Sequence, residues 1–231
     1  MVPALADDVY ESIKALLMDN QIAPGARLTI DGLARDLKVS QTPVREALAA
    51  LEADGLTVKE YNRSYRATEI ITPAEFDDLY EFRMRVEPWA AANAAVRASD
   101  EQIAQLRGIL DDLPPAPHDG RYHDYRAFAE NDQIFHRHVH VSSGNTALPI
   151  AFDRLNVHLQ MFRLYYGSGI GTEAVREHNA ICRAIADRDA DAAAAAMAEH
   201  LAESRNRLLP ALTSKGRVAQ RAPARLESTP A

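Results

Sequence analysis

Residues 39–48 read Val-Ser-Gln-Thr-Pro-Val-Arg-Glu-Ala-Leu and open a predicted helix that continues to about Ala53. Proline costs no hydrogen bond in the first turn of a helix, because the N–H groups there have no intrahelical partner. Ser40 or Thr42 can cap this helix. Its apolar face is predicted to contain Val44, Ala47, Leu48 and Leu51, which recur at helical spacing. The polar face keeps Gln41, Thr42 and Arg45.

A second, shorter helix is predicted from about Ile30 to Leu37, just before the first one. The two are separated only by Lys38, Val39 and Ser40. A helix, a tight turn and a helix with polar residues at its leading end form a helix-turn-helix, which presents side chains to the major groove of DNA. The sequence therefore predicts a DNA-binding domain at the amino terminus, residues 1–70.

The helix that ends near Ala53 is the predicted recognition helix, and the residues after it are typical of a β-wing. Gly55 can end the helix in a left-handed conformation, and residues 56–59 alternate apolar with polar like a strand. Residues 61–64 indicate a turn with Arg63 at its tip, and residues 65–68 form the returning strand.

Residues 5–70 resemble the winged-helix domain of the GntR family of bacterial transcription regulators. The resemblance rests on the runs "PG-x-x-L", "LA-x-x-L-x-VS" and "TPVREAL…L…GL". Two positions differ from the family pattern, since Gln41 replaces the usual Arg and Ser64 replaces the usual Gly at the wing. Gln prefers the N6/N7 edge of adenine, so the operator bases are expected to differ. The expected DNA-contacting residues are Ser40, Gln41, Thr42, Arg45, Arg63 and Ser64.

Composition sets broad limits on the protein. The chain has 231 residues, 47% hydrophobic residues and a net charge of −7, which fits two globular domains. Its one cysteine, Cys182, excludes an internal disulfide, and no apolar run reaches the ~20 residues of a membrane helix. We expect a soluble cytoplasmic protein. Net acidity argues mildly against DNA binding, which must then depend on local basic residues, here Lys38, Arg45, Lys59, Arg63 and Arg66.

A second, all-helical domain is predicted from residue 71 to residue 213. Thr72-Pro73-Ala74-Glu75 has the form of a capping box, and Ser99 to Gln102 repeats it. Six helices are predicted at 73–98, 100–112, 121–142, 146–166, 173–188 and 190–212, without strands, with a kink at Pro88 and a Pro-rich linker at 114–120. Residues 214–231 lack periodicity and are expected to be a disordered tail. The predicted fold is mainly α, a winged helix-turn-helix followed by an antiparallel helical bundle.

Four metal-ligand-type residues occur at helical spacing in this bundle. Asp132 and His136 lie one turn apart, and His178 and His200 lie on two later helices. Such residues can converge inside a bundle. By spacing alone a hydrogen-bonded core histidine is the more common case, and His140 forms a competing pair with His136.

Residues 73–209 resemble the helical ligand-binding domain of the FadR branch of the GntR family, the FCD type. The matching runs are Leu79-Tyr80-Glu81-Phe82-Arg83…Glu87, Asp132-Gln133-Ile134-Phe135-His136, Glu177-His178-Asn179-Ala180-Ile181 and Met197-Ala198-Glu199-His200-Leu201. The resemblance implies a divalent metal held by Asp132, His136, His178 and His200. Zinc suits these ligands best, and nickel, iron, manganese or copper are admitted. His138, His140 and His158 fall outside the pattern and are expected at the surface or behind the ligands.

The same resemblance implies that Arg83 holds the carboxylate of a small organic acid effector, with Tyr80 and Arg163 as weaker pocket candidates. The alternative for Arg83 is an ion pair with Glu87. A homodimer reading a near-palindromic double-stranded operator is also implied. Two rival functions stay open at this point, a metal-dependent hydrolase or lyase and a regulator whose metal is purely structural.

Overall fold

The computed structural model describes residues 3–61, 64–112, 122–163 and 171–219, and the fold is mainly α. In the amino-terminal part the helices are α1 (Pro3–Met18), α2 (Ile30–Leu37) and α3 (Gln41–Ala53), and the strands are β1 (Arg27–Thr29), β2 (Thr57–Lys59) and β3 (Ser64–Ala67). The helical part that follows contains α4 (Pro73–Arg97), α5 (Asp100–Asp111), α6 (Tyr122–Ser142), α7 (Ala147–Leu155), α8 (Val157–Phe162), α9 (Gly171–Ala186) and α10 (Ala190–Ala219).

The amino-terminal part is a winged helix-turn-helix. The strands form an antiparallel sheet in the order β1-β3-β2, with Leu28 opposite Tyr65 and Val58 opposite Arg66. The predicted helices α2 and α3 and the wing strands are confirmed. Strand β1 was not predicted; its residues alternate exposed, buried and exposed, but three residues are too few to identify a strand from sequence. Ser40 is the N-cap residue of α3, without a side-chain cap hydrogen bond, and Gly55 adopts φ +73° as predicted.

The two parts share one apolar core. A continuous cluster of buried residues joins α1 and α3 to α4 and α6, and it includes Ile13, Leu48, Leu51, Phe76, Tyr80 and Tyr125. A second cluster lies deeper in the bundle, between α4, α5, α6, α9 and α10, and includes Leu106, Phe135, Ile181 and Met197. The amino-terminal part is therefore packed directly against the helical part.

Both predicted capping boxes are present. The hydroxyl of Thr72 accepts from the backbone N–H of Glu75, whose carboxylate accepts from the N–H of Thr72, and Ser99 and Gln102 do the same for α5. Pro88 lies inside α4, which is continuous through it. The predicted linker at 114–120 falls outside the described residues.

Two predicted helix bounds were wrong. The predicted helix 146–166 is divided into α7 and α8 at Asn156, which adopts φ +49°. Asn enters this left-handed conformation more readily than most residues, so the break is local. The last helix extends to Ala219, six residues into the segment expected to be a tail, and residues 220–231 lie outside the described residues.

No helix in the described ranges is both long and apolar enough to cross a membrane.

Candidate functional site

Three of the predicted metal ligands meet inside the bundle. His136 on α6, His178 on α9 and His200 on α10 are exposed by 1%, 0% and 3%, respectively. Each offers a ring nitrogen, and these nitrogens lie within 4.8 Å of one another. The imidazole centroids are separated by 4.6 to 5.2 Å. Three buried imidazoles at this separation can bind one ion.

Asp132 lies at the edge of this histidine cluster (His136, His178 and His200). One of its carboxylate oxygens, Oδ1, is 3.5 Å from Nε2 of His178, and the side chain is 13% exposed. That distance is long for a hydrogen bond. Two ligands of one tetrahedral ion with bonds of 2.0–2.2 Å are separated by about 3.4 Å. The position of Asp132 therefore fits a fourth ligand beside His178.

Packing holds the ring of His178 from one side. The phenyl ring of Phe135 stacks on it with centroids 4.2 Å apart and an interplanar angle of 18°. Phe135 precedes His136 on α6, so one helix supplies both a ligand and a wall for the next ligand. This arrangement limits rotation of the His178 ring.

Two carboxylates orient the other two histidines. Nδ1 of His136 lies 2.7 Å from Oε2 of Glu87, and Nδ1 of His200 lies 2.8 Å from Oε2 of Glu177. Because a carboxylate only accepts hydrogen bonds, both Nδ1 atoms are assigned as donors. A neutral imidazole that donates from Nδ1 keeps its lone pair on Nε2, which is the arrangement commonly seen behind metal-binding histidines.

Each of these carboxylates is bound in turn by an arginine. Glu87 accepts from Nε of Arg83 at 2.5 Å, and Glu177 accepts from Nη1 and Nη2 of Arg207 at 2.6 and 2.7 Å. Burial alone would raise the pKa of Glu177, but His200 and Arg207 lower it to about 2. Burial would likewise raise the pKa of Glu87, but Arg83 and His136 hold it well below its usual range.

Sequence reasoning missed Glu177, and it treated Glu87 only as a possible partner of Arg83. Glu177 directly precedes His178, and a carboxylate at that position is common on any helix. Only the approach of α9 to α10 brings it to His200.

Arg83 forms the ion pair that the sequence left open as an alternative. The side chain is 3% exposed, and its Cζ lies 5.3 Å from the ring centroid of Tyr80. Burial would lower the pKa of Arg83, but Glu87 keeps it above its usual value. Within the described residues, Arg83 donates only from Nε, so its two terminal nitrogens remain for another partner. Tyr80 bonds through its hydroxyl to Ser204 at 2.8 Å.

Arg163 contacts the segment of residues 68–72 between β3 and α4, which joins the amino-terminal part to the helical part and is called the linker below. Nη1 donates to the hydroxyl of Thr68 at 2.9 Å and to the carbonyl of Glu69 at 3.0 Å, and Nη2 donates to the carbonyl of Thr68 at 2.9 Å. These bonds direct Nη1 and Nη2 to residues 68 and 69, and the role of Arg163 in an effector pocket stays a prediction.

The remaining histidines differ in their surroundings. His140 is buried, lies 3.6 Å from Oε2 of Glu87 and packs on Phe152 with centroids 4.2 Å apart. Nε2 of His138 lies 2.7 Å from the carbonyl of Gln102. The side chain of His158 is outside the described residues. His140 thus stands directly behind the cluster.

The leading end of α3 presents the predicted DNA-contacting residues. Ser40, Gln41, Thr42 and Arg45 are all exposed, whereas the intervening Pro43 and Val44 are buried. Nε2 of Gln41 donates to Oδ1 of Asp31 on α2 at 2.5 Å.

The wing differs from the prediction at Ser64. This residue is 4% exposed, and its hydroxyl donates to Glu60 and to the carbonyl of Tyr61. Its side chain thus points inward from β3 and contacts residues 60 and 61, which argues against the predicted contact of its hydroxyl with DNA. Tyr61, which was not predicted as a contact, is 90% exposed. Arg63 lies outside the described residues.

Comparison with known proteins agrees with this architecture. Residues 5–65 match the bacterial regulatory proteins of the gntR family, and residues 78–203 match the FCD domain. The chain is 26% identical over 186 residues to YdhC of Bacillus subtilis (strain 168), named an uncharacterized HTH-type transcriptional regulator, covering 80% of this chain and 82% of that protein. It is 26% identical over 175 residues to the HTH-type transcriptional regulator McbR of Escherichia coli (strain K12), covering 76% and 77%.

Solved structures share the fold. The structure of E. coli McbR/YncC gives a TM-score of 0.63 at 22% identity and covers 92% of this chain and 98% of that one. The structure of a "putative transcriptional regulator GntR" from Rhodococcus sp. RHA1 gives a TM-score of 0.60 at 20% identity and covers 89% of this chain and 97% of that one. The chain therefore belongs to the gntR family of bacterial regulatory proteins, in the group with an FCD domain, and is a DNA-binding transcription regulator.

Proposed function

We propose that this regulator holds a divalent metal in the histidine cluster and uses it, together with Arg83, to bind a small organic acid that changes its affinity for operator DNA. The observation that carries the proposal is the arrangement of three buried imidazoles, two of them oriented by carboxylates at 2.7 and 2.8 Å. Three imidazole nitrogens within 4.8 Å of one another form a donor set that one transition-metal ion can bind.

The donor set favours a transition metal of borderline softness. Three imidazoles and the carboxylate of Asp132 suit zinc, and also nickel, iron, manganese or copper. His136, His178, His200 and Asp132 would hold it. A bound ion with an open position would supply a Lewis-acid contact for an effector oxygen.

The effector proposal depends on Arg83. Its Nε is occupied by Glu87, while the terminal nitrogens have no partner within the described residues. A guanidinium fork can bind a carboxylate through two charge-assisted hydrogen bonds. A hydroxy-, keto- or dicarboxylate could bridge Arg83 and the metal.

Regulation follows from thermodynamic linkage between effector binding and operator binding. An effector that binds one arrangement of the helical part better than another shifts the population and hence the DNA affinity. One contact between the two parts runs through Arg163 at the end of α8, which donates to the hydroxyl of Thr68; that hydroxyl in turn donates to the carbonyl of Gly55 after α3. We propose that the protein acts in the cytoplasm as a homodimer on a near-palindromic operator, where the two recognition helices read half-sites one turn apart.

The test combines metal analysis with DNA binding. Purified protein is expected to contain about one transition metal per chain, and fluorescence anisotropy on the operator should change when a metal-binding carboxylate such as citrate is added. Metal-free protein should lose this change and keep its helical content. Metal-free protein that still responds to the carboxylate would overturn the proposal.

A purely structural metal is the second candidate, because the cluster joins α6, α9 and α10 in the interior. In that case chelation should unfold the protein instead of abolishing the response alone. The relatives YdhC and McbR are named transcriptional regulators, which favours regulation over a hydrolase or lyase function.

A further inference from the structure

Glu177 on α9 connects two residues of α10. Its Oε2 accepts from His200 at 2.8 Å and from Arg207 at 2.7 Å, and its Oε1 accepts from Arg207 at 2.6 Å. His200 and Arg207 are two helical turns apart and thus share one face of α10. The carboxylate is 6% exposed, and both of its oxygens are held. Its plane is therefore fixed by the bidentate pair.

The two arginine–carboxylate pairs behind the cluster are not equivalent. Arg207 donates from both terminal nitrogens to Glu177, whereas Arg83 donates to Glu87 from Nε alone. Glu87 also lies 3.6 Å from His140. Glu177 thus accepts from a single histidine, His200, and both terminal nitrogens of Arg207 are already bonded to Glu177.

We propose that Glu177, locked by Arg207, is the positioning residue that holds His200 with its Nε2 lone pair directed into the cluster. This inference rests on the proposed metal function. When Nδ1–H of His200 is held by Glu177, the tautomer and the ring orientation are set before the ion binds. Metal binding then costs less conformational entropy, so the metal affinity is higher. Changes to such outer groups commonly weaken metal binding roughly 10–100-fold.

The experiment compares Glu177→Gln and Arg207→Gln with a matched control, an arginine–carboxylate pair between α4 and α10. Asp77→Asn serves as control, because Asp77 also accepts from an arginine of α10, Arg205, at 2.6 Å but is exposed. Zn²⁺ dissociation constants are measured by chelator competition, the absorption spectrum of Co²⁺-loaded protein reports coordination, and thermal unfolding is followed without metal.

Glu177→Gln should weaken Zn²⁺ binding about 10–100-fold and alter the Co²⁺ spectrum. Arg207→Gln should weaken it less, and Asp77→Asn should match wild type. Equal Zn²⁺ affinity and an unchanged Co²⁺ spectrum in Glu177→Gln and Arg207→Gln would overturn the inference while leaving the metal site intact. If Glu177→Gln does not fold, Arg207→Gln alone decides. Wild-type protein that binds neither Zn²⁺ nor Co²⁺ would overturn the proposed function itself.

A separate observation concerns base recognition. Gln41 begins α3 and donates from Nε2 to Asp31 in the first turn of α2 at 2.5 Å, and both side chains are exposed. A carboxylate close to DNA repels phosphates, so the charge of Asp31 by itself lowers the affinity for DNA. Its hydrogen bond with Gln41 indicates a second role, which is to orient the amide of Gln41.

The carboxylate fixes which end of the amide faces it. Because Asp31 only accepts, the nitrogen of Gln41 must face Asp31, and the reverse orientation would place two oxygens in contact. Adenine recognition uses the amide oxygen and one N–H, so the second N–H can stay on Asp31. Guanine offers two acceptors in the major groove and cannot match the oxygen of Gln41.

We infer that Asp31 is a specificity-determining residue that sets the donor–acceptor order of Gln41 for adenine. Asp31→Asn removes this constraint, since an asparagine can both donate and accept. Asp36→Asn is the matched control, because it removes the same charge from an exposed position on the same helix. The operator is first selected from a randomised duplex library, and the variants are then measured on duplexes that carry each base in turn.

Both variants should bind all duplexes somewhat more tightly, because each loses a negative charge. At the position read by Gln41, only Asp31→Asn should lower the preference for adenine over guanine, by about tenfold. An unchanged preference at every position in Asp31→Asn would overturn the inference.

Discussion

At the scale of single residues, the exposed guanidinium of Arg45 is the most direct test of the DNA interface. It lies on the same exposed end of α3 as Gln41 and Thr42. Arg45→Ala should cost about 1–3 kcal/mol of operator binding if the side chain reaches a base or phosphate. Fluorescence anisotropy measures this loss. Arg85→Ala, which removes an exposed charge on α4, should bind normally, and normal binding by Arg45→Ala would show that α3 docks differently.

His178 tests the metal centre at the same scale. Its ring is fully buried and stacked on Phe135, and Nε2 lies beside Asp132. His178→Ala should reduce metal content to near zero, because loss of a direct ligand weakens binding beyond the roughly 10–100-fold of outer-shell changes. Elemental analysis gives the answer, with His138→Ala as control. Full metal content in His178→Ala would show that His178 is not a ligand, and His140 would then be the next histidine to test.

At the scale of elements, the junction between α3 and β2 depends on Gly55. The residue has φ +73°, and a Cβ there would lie 2.9 Å from Nδ2 of Asn156. Gly55→Ala should lower the free energy of unfolding by about 1–2 kcal/mol, because L-residues are strained in this region.

Gly108 provides the opposite control. It lies inside α5, and a Cβ there meets nothing within 4 Å. Gly108→Ala should raise stability by roughly 0.5–1 kcal/mol, since alanine loses less entropy in a helix. Denaturant titration measures the free energy of unfolding of both variants, which should fall in Gly55→Ala and rise in Gly108→Ala. A more stable Gly55→Ala protein would contradict the left-handed conformation assigned to Gly55.

At the scale of the whole molecule, Arg83 should link the effector to the DNA. Arg83→Ala is expected to keep metal and operator affinity but to lose the effector response, because a ligand shifts an equilibrium only through its differential affinity. Arg83→Lys should restore little, since an ammonium cannot reproduce the two-pronged contact. Operator affinity with and without saturating effector is the measurement. A full response in Arg83→Ala would reduce its role to the ion pair with Glu87.

Arg163 should transmit the response through the linker. Burial lowers the pKa of its guanidinium, which nonetheless donates three hydrogen bonds to Thr68 and Glu69. Arg163→Gln should lower the free energy of unfolding by about 1.5–3 kcal/mol and reduce the effector response, because linker carbonyls lose charged donors. Arg154→Gln, exposed on α7, is the control. Unchanged stability and response in Arg163→Gln would exclude this route.

The sequence alone predicted the features that depend on neighbours along the chain. Helix α2, the start of α3, the turn at Gly55 and both capping boxes follow from residues within about one helical turn of each other. The pairing of Asp132 with His136 on one side of α6 is local in the same sense. Family resemblance then supplied His178 and His200, which spacing alone could not select from eight histidines.

Only the tertiary structure revealed which side chains meet across helices. The contacts of Glu177 with His200, of Glu87 with His136 and of Arg163 with Thr68 join residues 23, 49 and 95 positions apart. The inward position of Ser64 and the break at Asn156 depended on packing as well. Local periodicity sets which face of a helix is apolar, but the rotation and height of one helix against another are set by the whole core, so the partners of a buried charge are decided there.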